Sequence, residues 1–418
     1  MQKSTCLWTI LGLVLIISHQ FGKTYTGNLI SVTILSGIWV VWLKNSHIPP
    51  RISLCLVLAL GLRILLFLTN GVFEDDWHRY RAEGLLLGTG VNVYSLTPAE
   101  VLAFHLDKIN AHPQRAEIVY HLAHTGFPEY PAIYPKELIF IFGFVPSLLW
   151  LFLITDLAVL LIFQRISHHI FYLWCFHPLV LMEGFVNKHY DVLLVLPLVL
   201  AYLLMQSPKM KFQILSGLFW GLIFSLKGMA LFLWVLLPPR QKVLSLFALL
   251  GFMAWAYFLS PDRFSQGSSL VIFAKWWEVN SPIAYLIRMI LQNHLSPENT
   301  ALWGRAFMGL LLIFLIYWKR ASLKSSTLIC IMMLANPINN PWYLILPLAY
   351  GLLQKDWNCN WLPVACLGYY SCWITNDPGI SLLIYIPLSL VLPLWYLWTK
   401  QNSGPPRDSP DWVPSVRP

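Results

Sequence analysis

Residues 52–94 read ISLCLVLALGLRILLFLTNGVFEDDWHRYRAEGLLLGTGVNVY, and the character of the chain changes within them. The first part is almost wholly apolar, as is typical of a membrane-spanning helix. The segment from Glu74 to Glu83 then carries acids, arginines and a histidine in close succession. Such a carboxylate cluster directly after an apolar helix is expected where a membrane surface meets water, which is a natural place for a reaction.

The composition favours a membrane protein over a soluble one. Of 418 residues, 57% are hydrophobic and only 11% are charged, and the mean hydropathy is +0.62. A very large soluble core would need helices with a polar stripe, whereas most segments here are apolar on all sides. We expect an all-α polytopic membrane protein of about 12–14 transmembrane helices, in a single domain over residues 1–400 with a disordered Pro-rich tail over 401–418.

Fourteen apolar segments are candidate spans. They cover residues 5–20, 27–43, 52–70, 137–163, 170–186, 189–206, 212–226, 228–238, 242–260, 300–318, 325–337, 341–353, 360–375 and 380–398. Several are shorter than the roughly 20 residues that a perpendicular helix needs. Those segments are expected to be broken or re-entrant, which is acceptable where they line a cavity in the protein.

Basic residues indicate which loops face the cytoplasm. Lys and Arg together exceed Asp and Glu by 9, and many of them fall in alternate short loops. Examples are Lys44, Arg165, Lys209, Arg240 and Lys355. The positive-inside rule makes those loops cytoplasmic, with both termini inside, so the charge excess gives no reason to expect a nucleic-acid partner. The long segments 71–136 and 261–299 then become outer loops, and most of the polar motifs converge on that outer face.

The acidic cluster admits several interpretations. Glu74, Asp75 and Asp76 could hold a divalent cation, pair with the nearby arginines, supply a general base, or form only a hydrated surface. Their position directly after a span favours a functional role, and Arg79 and Tyr80 are placed to bind a phosphate or orient a carboxylate.

Polar residues in other outer segments are further candidates. Lys188, His189 and Asp191 lie between two spans, and a satisfied structural role is the alternative for each. Lys227 is a cation at membrane depth and needs a phosphate or carboxylate partner. Trp342 and Tyr343 could stack on a sugar, although an interfacial aromatic belt is the ordinary role for such residues.

These residues resemble a known family. Residues 74–94 are similar to the first outer loop of the GT-C membrane glycosyltransferases, in particular the bacterial polyprenyl-phosphate-mannose-dependent mannosyltransferases, whose loop reads approximately DDVYRYLWDG followed by GxNPY. The matching residues are Asp75, Asp76, Arg79, Tyr80, Gly84, Gly90, Asn92 and Tyr94. Five further segments match in order, namely 131–138, 174–191, 221–238, 275–288 and 340–348. The departures are Ala82, Glu83, Val93, Lys136, Tyr190 and Asn340.

The resemblance implies a GT-C-like bundle with long extracytoplasmic loops, in a bacterial inner or plasma membrane. It also implies an inverting transferase that moves a hexose, foremost mannose, from a polyprenyl-phosphate donor to a lipid, glycan or protein acceptor. On chemical grounds we assign the general base to Asp76, with Asp75 or Glu74 orienting it, binding the acceptor or holding an optional Mg²⁺ or Mn²⁺. No other cofactor is expected. Residues expected to bind the donor phosphate or sugar are Arg79, Tyr80, Lys188, His189, Asp191, Lys227, Arg288, Trp342 and Tyr343.

Two alternatives remain open from the sequence. A transporter or flippase for a lipid-linked sugar would use the acids to bind a cation or its cargo, but transporters place their decisive charges near the bilayer midplane. The densest charged cluster here lies in a loop, which favours an enzyme. An inactive scaffold of the same fold is the second alternative.

Overall fold

The computed structural model describes residues 52–68, 74–265, 268–276, 281–319, 323–336 and 338–356, together with 359 and 370. The candidate spans 5–20, 27–43 and 380–398, most of 360–375 and the Pro-rich tail lie outside these residues. The described part is all-helical, with 78% of it in helices and no β-strand. The predicted helical class is therefore confirmed.

Sixteen α-helices follow one another in the described ranges. They are α1 Ile52–Leu68, α2 Asp76–Leu86, α3 Pro98–Phe104, α4 Arg115–Ala123, α5 Lys136–Phe144, α6 Leu148–Ile166, α7 His168–Phe176, α8 Pro178–Leu181, α9 Val195–Met205, α10 Met210–Leu226, α11 Pro239–Leu259, α12 Ser269–Trp276, α13 Pro282–Leu291, α14 Pro297–Lys319, α15 Ser325–Ala335 and α16 Ile345–Leu353. Shorter 3₁₀ turns join several of them, including Tyr190–Val192, Gly228–Leu236 and Pro341–Leu344.

Three of these helices, α6, α11 and α14, are long and apolar enough to cross a membrane. A fourth candidate is the pair formed by α7 and Pro178–Val186, which bends by 50° at its break. Helices α1 and α10 are apolar but shorter. Long apolar helices are thus present as predicted, whereas the number of spans, 12–14, and their orientation stay predictions.

Several predicted boundaries change, two of them because prolines interrupt the helices. The single span expected over 137–163 is two helices, α5 and α6, with Pro146 between them. The span expected over 170–186 breaks at Pro178, where the His177 side chain accepts the Leu179 amide hydrogen and starts a new helix. The segment 228–238 is a 3₁₀ helix. The predicted outer loop 71–136 contains three helices, α2, α3 and α4.

The core has two parts that position the site. The larger part is built from α1, α6, α7, α9, α10 and α16, and the smaller one lies between α2, α4 and α5. Within the larger part, Arg63 of α1 forms a buried ion pair with Asp156 of α6 at 2.5 Å, and the Trp174 indole donates to the same carboxylate at 2.8 Å. This pairing accounts for an arginine inside an otherwise apolar helix.

Helices α2 and α5 cross at two glycines, and this contact fixes the helix that carries Asp76. A Cβ added at Gly84 would meet the Gly143 backbone, and one at Gly143 would meet the Gly84 carbonyl group.

We therefore expect Gly84→Ala to destabilise the fold by about 1–3 kcal/mol, which is typical of overpacking. Thermal unfolding in detergent measures the loss. Gly88→Ala is the control, because no atom lies within 4 Å of its added Cβ; equal unfolding midpoints for the two variants would contradict the prediction.

Candidate active site

Asp76 lies at the start of α2, where side chains from distant segments meet. Its Oδ2 atom accepts a hydrogen bond from the Tyr134 hydroxyl at 3.0 Å and lies 3.9 Å from Nδ1 of His189. The Tyr80 hydroxyl, one turn further along α2, is 3.4 Å from the same His189 nitrogen. The Asp76 side chain keeps 31% of its surface exposed, so this carboxylate is both held by the protein and accessible.

His189 occupies the centre of the cluster. Its ring stacks on Trp342, with centroids 3.9 Å apart and planes inclined by 18°. Its Nε2 atom is 3.7 Å from Glu183, and its backbone N–H donates to the Glu183 carbonyl at 2.8 Å. The carboxylates of Asp76 and Glu183 lie beyond hydrogen-bond distance of the ring nitrogens, so the ring is oriented by its stacking on Trp342 and by the Tyr80 hydroxyl.

Glu183 forms the inner end of this arrangement. The Tyr370 hydroxyl donates to its carboxylate at 2.7 and 2.8 Å, and the Asn187 amide donates at 3.1 Å. Glu183 lies in the π-helical segment Met182–Val186 that follows the Pro178 break. Such segments are frequent at functional sites, and this one carries the chain into the Asn187–His189 turn.

Lys227 pairs with Asp191 next to this cluster. The ammonium group donates to Asp191 Oδ2 at 2.9 Å, with the two side chains 11% and 1% exposed. The same nitrogen lies 4.4 Å from the Tyr343 ring centroid and 4.9 Å from that of Tyr190. Lys227 sits at the break between α10 and Gly228–Leu236, which turns its side chain into the interior. Lys227 was predicted to need an anionic partner, and the Asp191 carboxylate is such a partner.

Lys188 lies beside two aromatic rings. Its Nζ atom is 3.9 Å from the Trp77 ring centroid and 4.9 Å from that of Phe67. Its backbone has a φ of +58°, a left-handed conformation that costs a non-glycine residue about 1–3 kcal/mol and persists mostly at functional sites. The strained turn directs the cation towards the start of α2.

Arg79 has a structural role that differs from the predicted one. Its guanidinium donates to Glu83 at 3.0 Å and to four backbone carbonyls, at Gly126, Phe127, Tyr130 and Pro131, between 2.8 and 3.2 Å. These acceptors occupy the terminal nitrogens of the guanidinium and tie the 126–131 segment to α2. We therefore leave Arg79 out of the phosphate site. Arg288 lies on an exposed part of α13, where its guanidinium carbon is 5.5 Å from the Tyr285 ring.

Glu74 and Asp75 directly precede α2, and Asp75 is its N-cap residue. The sequence reasoning singled out neither Tyr134 nor Glu183 nor Tyr370. Tyr134 and Glu183 stand within the quoted motifs PAIYPKEL and EGFVNKHYD, whereas nothing in the sequence connects Tyr370 to the others.

The electrostatic surroundings suit a carboxylate that exchanges a proton. Burial raises the pKa of Asp76, while Arg79, the Tyr134 hydrogen bond and Lys227 lower it. Burial and the charge of Asp76 raise the pKa of Asp75 to about 6. Among the residues that the structure describes, no group of three or more His, Cys, Asp or Glu side chains is arranged to hold a metal ion. The optional cation at Asp75 and Asp76 stays a prediction.

The raised pKa of Asp75 predicts a pH-dependent effect on stability. Above pH 6 the Asp75 carboxylate is ionised in the folded protein, where burial makes its charge unfavourable. The same charge is solvated in the unfolded chain, so ionisation of Asp75 destabilises the fold. Asp75→Asn should therefore raise the unfolding midpoint in detergent at pH 8, and this gain should shrink as the pH falls through about 6 and vanish below about 4, where both states are protonated. A gain of equal size at pH 8 and pH 4 would contradict the assignment.

Comparison with protein families, with characterised proteins and with solved structures finds no match for this chain. Its function is therefore argued from the site. The structure brings Asp76, Tyr80, His189 and Trp342 into one cluster and places the Lys227–Asp191 pair and Tyr343 beside it. Those seven residues, from four separate segments, are the basis for assigning a function.

Proposed function

We propose that this chain is an inverting membrane glycosyltransferase that uses a polyprenyl-phosphate hexose, foremost mannose, as its donor. The observation that carries the proposal is the partly exposed Asp76 carboxylate, which is oriented by Tyr134 and lies close to a cation and several aromatic rings. We place the reaction on the extracytoplasmic face, as the distribution of basic loops suggests, in a bundle of 12–14 spans.

The proposed reaction is a single displacement. The acceptor hydroxyl, from a lipid, glycan or protein, attacks the anomeric carbon of the hexose. The bond between that carbon and the phosphate oxygen breaks, and polyprenyl phosphate leaves with the electron pair. Asp76 takes the proton from the attacking hydroxyl, whose pKa lies too high for it to ionise unaided near neutral pH. The pKa of Asp76, raised by burial, makes this carboxylate a stronger base than an exposed aspartate.

The leaving phosphate requires positive charge close to the anomeric carbon. Lys227 is the first candidate, because its charge acts on Asp76 and it lies in the same cluster. Lys188 is the second, since its strained turn holds it against Trp77, the residue that follows Asp76. Tyr343, in contact with Lys227, offers an aromatic face for the sugar, whereas Trp342 is stacked on His189.

A transporter or flippase of a lipid-linked sugar is the second candidate. Two observations favour this function. Helix α7 and the segment Pro178–Val186 form a bent helix pair, and this pair carries the fully buried carboxylate of Glu183. Discontinuous helices with buried charges are typical of substrate sites in transporters. The partly exposed Asp76 has no evident part in transport, so we place the enzyme first.

An assay in proteoliposomes distinguishes the two functions. A radiolabelled polyprenyl-phosphate mannose is supplied in the membrane together with a membrane-lipid extract as the source of acceptors. A transferase moves the label into a product whose bond survives mild acid, whereas a flippase changes only the leaflet in which the intact donor resides. Donor translocation without label transfer would overturn the first proposal. A parallel reaction with a chelator tests whether a divalent cation is needed.

A further inference from the structure

Positive charge accumulates at one end of the helix pair α10 and α11. Between Asp191 and Asp262 the chain carries five basic residues and no acid. Three of the five, Lys209, Lys211 and Arg240, are exposed, and together they are called the basic cluster. No carboxylate of the surrounding sequence is therefore available to balance their charge.

Helices α10 and α11 run parallel, and this arrangement brings the basic cluster together. The contacting pairs, in order along both helices, are Met210 with Arg240, Gln213 with Gln241, Gly217 with Leu244 and Gly221 with Ala248. Because the residue numbers rise together in these pairs, both helices begin at the same end. The Arg240 guanidinium lies 2.8 Å from the sulfur of Met210, which stands between Lys209 and Lys211. The three cations thus share one small surface.

The charge of the basic cluster is not neutralised within the part of the chain that the structure describes. None of its three side chains takes part in an ion pair there. The first turns of α10 and α11 lie at the same end, and their backbone dipoles add to the positive potential. Like charges held together repel one another, so a bound anion would stabilise this end of the helix pair.

An exposed apolar stripe continues from each side of the basic cluster. The stripe residues follow Lys211 and Arg240 at helical spacing, and each is between 44% and 71% exposed. They are Ile214 and Leu218 on α10, and Val243, Phe247 and Leu250 on α11. Helix α11 is long and apolar enough to cross a membrane, and large apolar side chains exposed on such a helix face lipid. The cations therefore lie at the depth of the lipid head groups.

We propose that the basic cluster binds the phosphate of an anionic phospholipid, whose acyl chains lie along the apolar stripes of α10 and α11. A zwitterionic phospholipid fits less well, because its ammonium group would face the same cations. The positive-inside rule predicts that this end lies in the cytoplasmic leaflet, which carries anionic lipids. Binding here does not depend on the reaction proposed at Asp76. An orientation signal is the ordinary role of such basic residues, but that role requires no bound lipid.

Photolabelling in nanodiscs tests the site. The probe is phosphatidylglycerol with a photoreactive group in its acyl chain, incorporated into phosphatidylcholine nanodiscs with the full chain. The variant Lys211→Gln, Arg240→Gln removes one cation from each helix. The matched control is Lys108→Gln, Arg165→Gln, because both residues are exposed, lie outside α10 and α11, and lose the same total charge. Unfolding midpoints in detergent verify that each variant is folded.

We expect the probe to label peptides of α10 and α11. Labelling should fall by about tenfold or more in Lys211→Gln, Arg240→Gln, equivalent to at least about 1.4 kcal/mol of binding free energy, and stay unchanged in the control. The variant Lys211→Arg, Arg240→Lys keeps both charges and should be labelled like the wild type. Equal labelling of the two glutamine variants, or labelling confined to other peptides, would overturn the site and leave an orientation signal only.

The head group and the chains are tested separately. Phosphatidylcholine with the same photoreactive chain should label α10 and α11 more weakly than phosphatidylglycerol does. Excess inorganic phosphate, compared with sodium chloride at matched ionic strength, should not displace the probe, because it lacks acyl chains. Equal labelling by the two lipids would show that the net charge of the lipid is not recognised. Displacement by inorganic phosphate would show that the chains contribute nothing, and either result would overturn an anionic phospholipid as the ligand.

Discussion

Replacing Asp76 by Asn is expected to lower sugar transfer by about 10²–10⁴-fold, the contribution that a positioned general base makes. Asparagine keeps the size of the side chain and an oxygen that can accept from the Tyr134 hydroxyl, so the geometry of the start of α2 is preserved. What it loses is the ability to take the proton of the attacking hydroxyl. The measurement is the initial rate of label transfer from polyprenyl-phosphate mannose in proteoliposomes.

Two comparisons make this result specific. Asp107→Asn removes an exposed acid from the same outer segment and should leave the rate unchanged. Elution in detergent should match the wild type for both variants. The unfolding midpoint should be unchanged in Asp107→Asn and should not fall in Asp76→Asn, because burial raises the pKa of Asp76 and so disfavours its charge in the folded state. Full activity in Asp76→Asn would remove Asp76 as the base.

The sequence singled out several polar and aromatic residues of the cluster, but not the partners that these residues contact. Apolar length and the acidic cluster predicted a helical chain with Asp76 at the end of an apolar segment. The structure places three predicted site residues, Asp76, Tyr80 and Trp342, around a fourth, His189. These predictions depended on local composition, which a sequence displays directly. Tyr134, Glu183 and Tyr370 come together only through tertiary packing, and their spacing of tens to hundreds of residues gives no periodic signal.

Arg79 illustrates how a side chain that a motif singles out can be engaged within the protein instead. Its position among acids suggested a phosphate ligand, and composition alone could not show that the 126–131 segment folds over it. The four backbone carbonyls that it binds carry no side-chain signature. The geometry of the helix breaks could not be predicted from the sequence either. A proline predicts that a helix is interrupted, but it does not predict the π-helical turn that carries Glu183.

Lys227→Gln is expected to have two separable effects. It leaves Asp191 buried without its cation, which typically costs about 3–5 kcal/mol of stability. It also removes the charge that we assign to the donor phosphate, so the KM for polyprenyl-phosphate mannose should rise about tenfold or more, as expected for a lost charge-assisted hydrogen bond. Thermal unfolding measures the first effect, and initial rates over a range of donor concentrations measure the second.

The double variant Lys227→Gln, Asp191→Asn separates the two effects. With both charges removed, no buried carboxylate is left unpaired, and most of the lost stability should return, because a neutral amide pair replaces a salt bridge at little net cost. The donor phosphate still lacks its cation, so the raised KM should persist in the double variant. If KM instead returns to the wild-type value together with stability, Lys227 serves only to neutralise Asp191, and the phosphate must be bound by another cation, of which Lys188 is the nearest candidate in the strained turn beside Trp77.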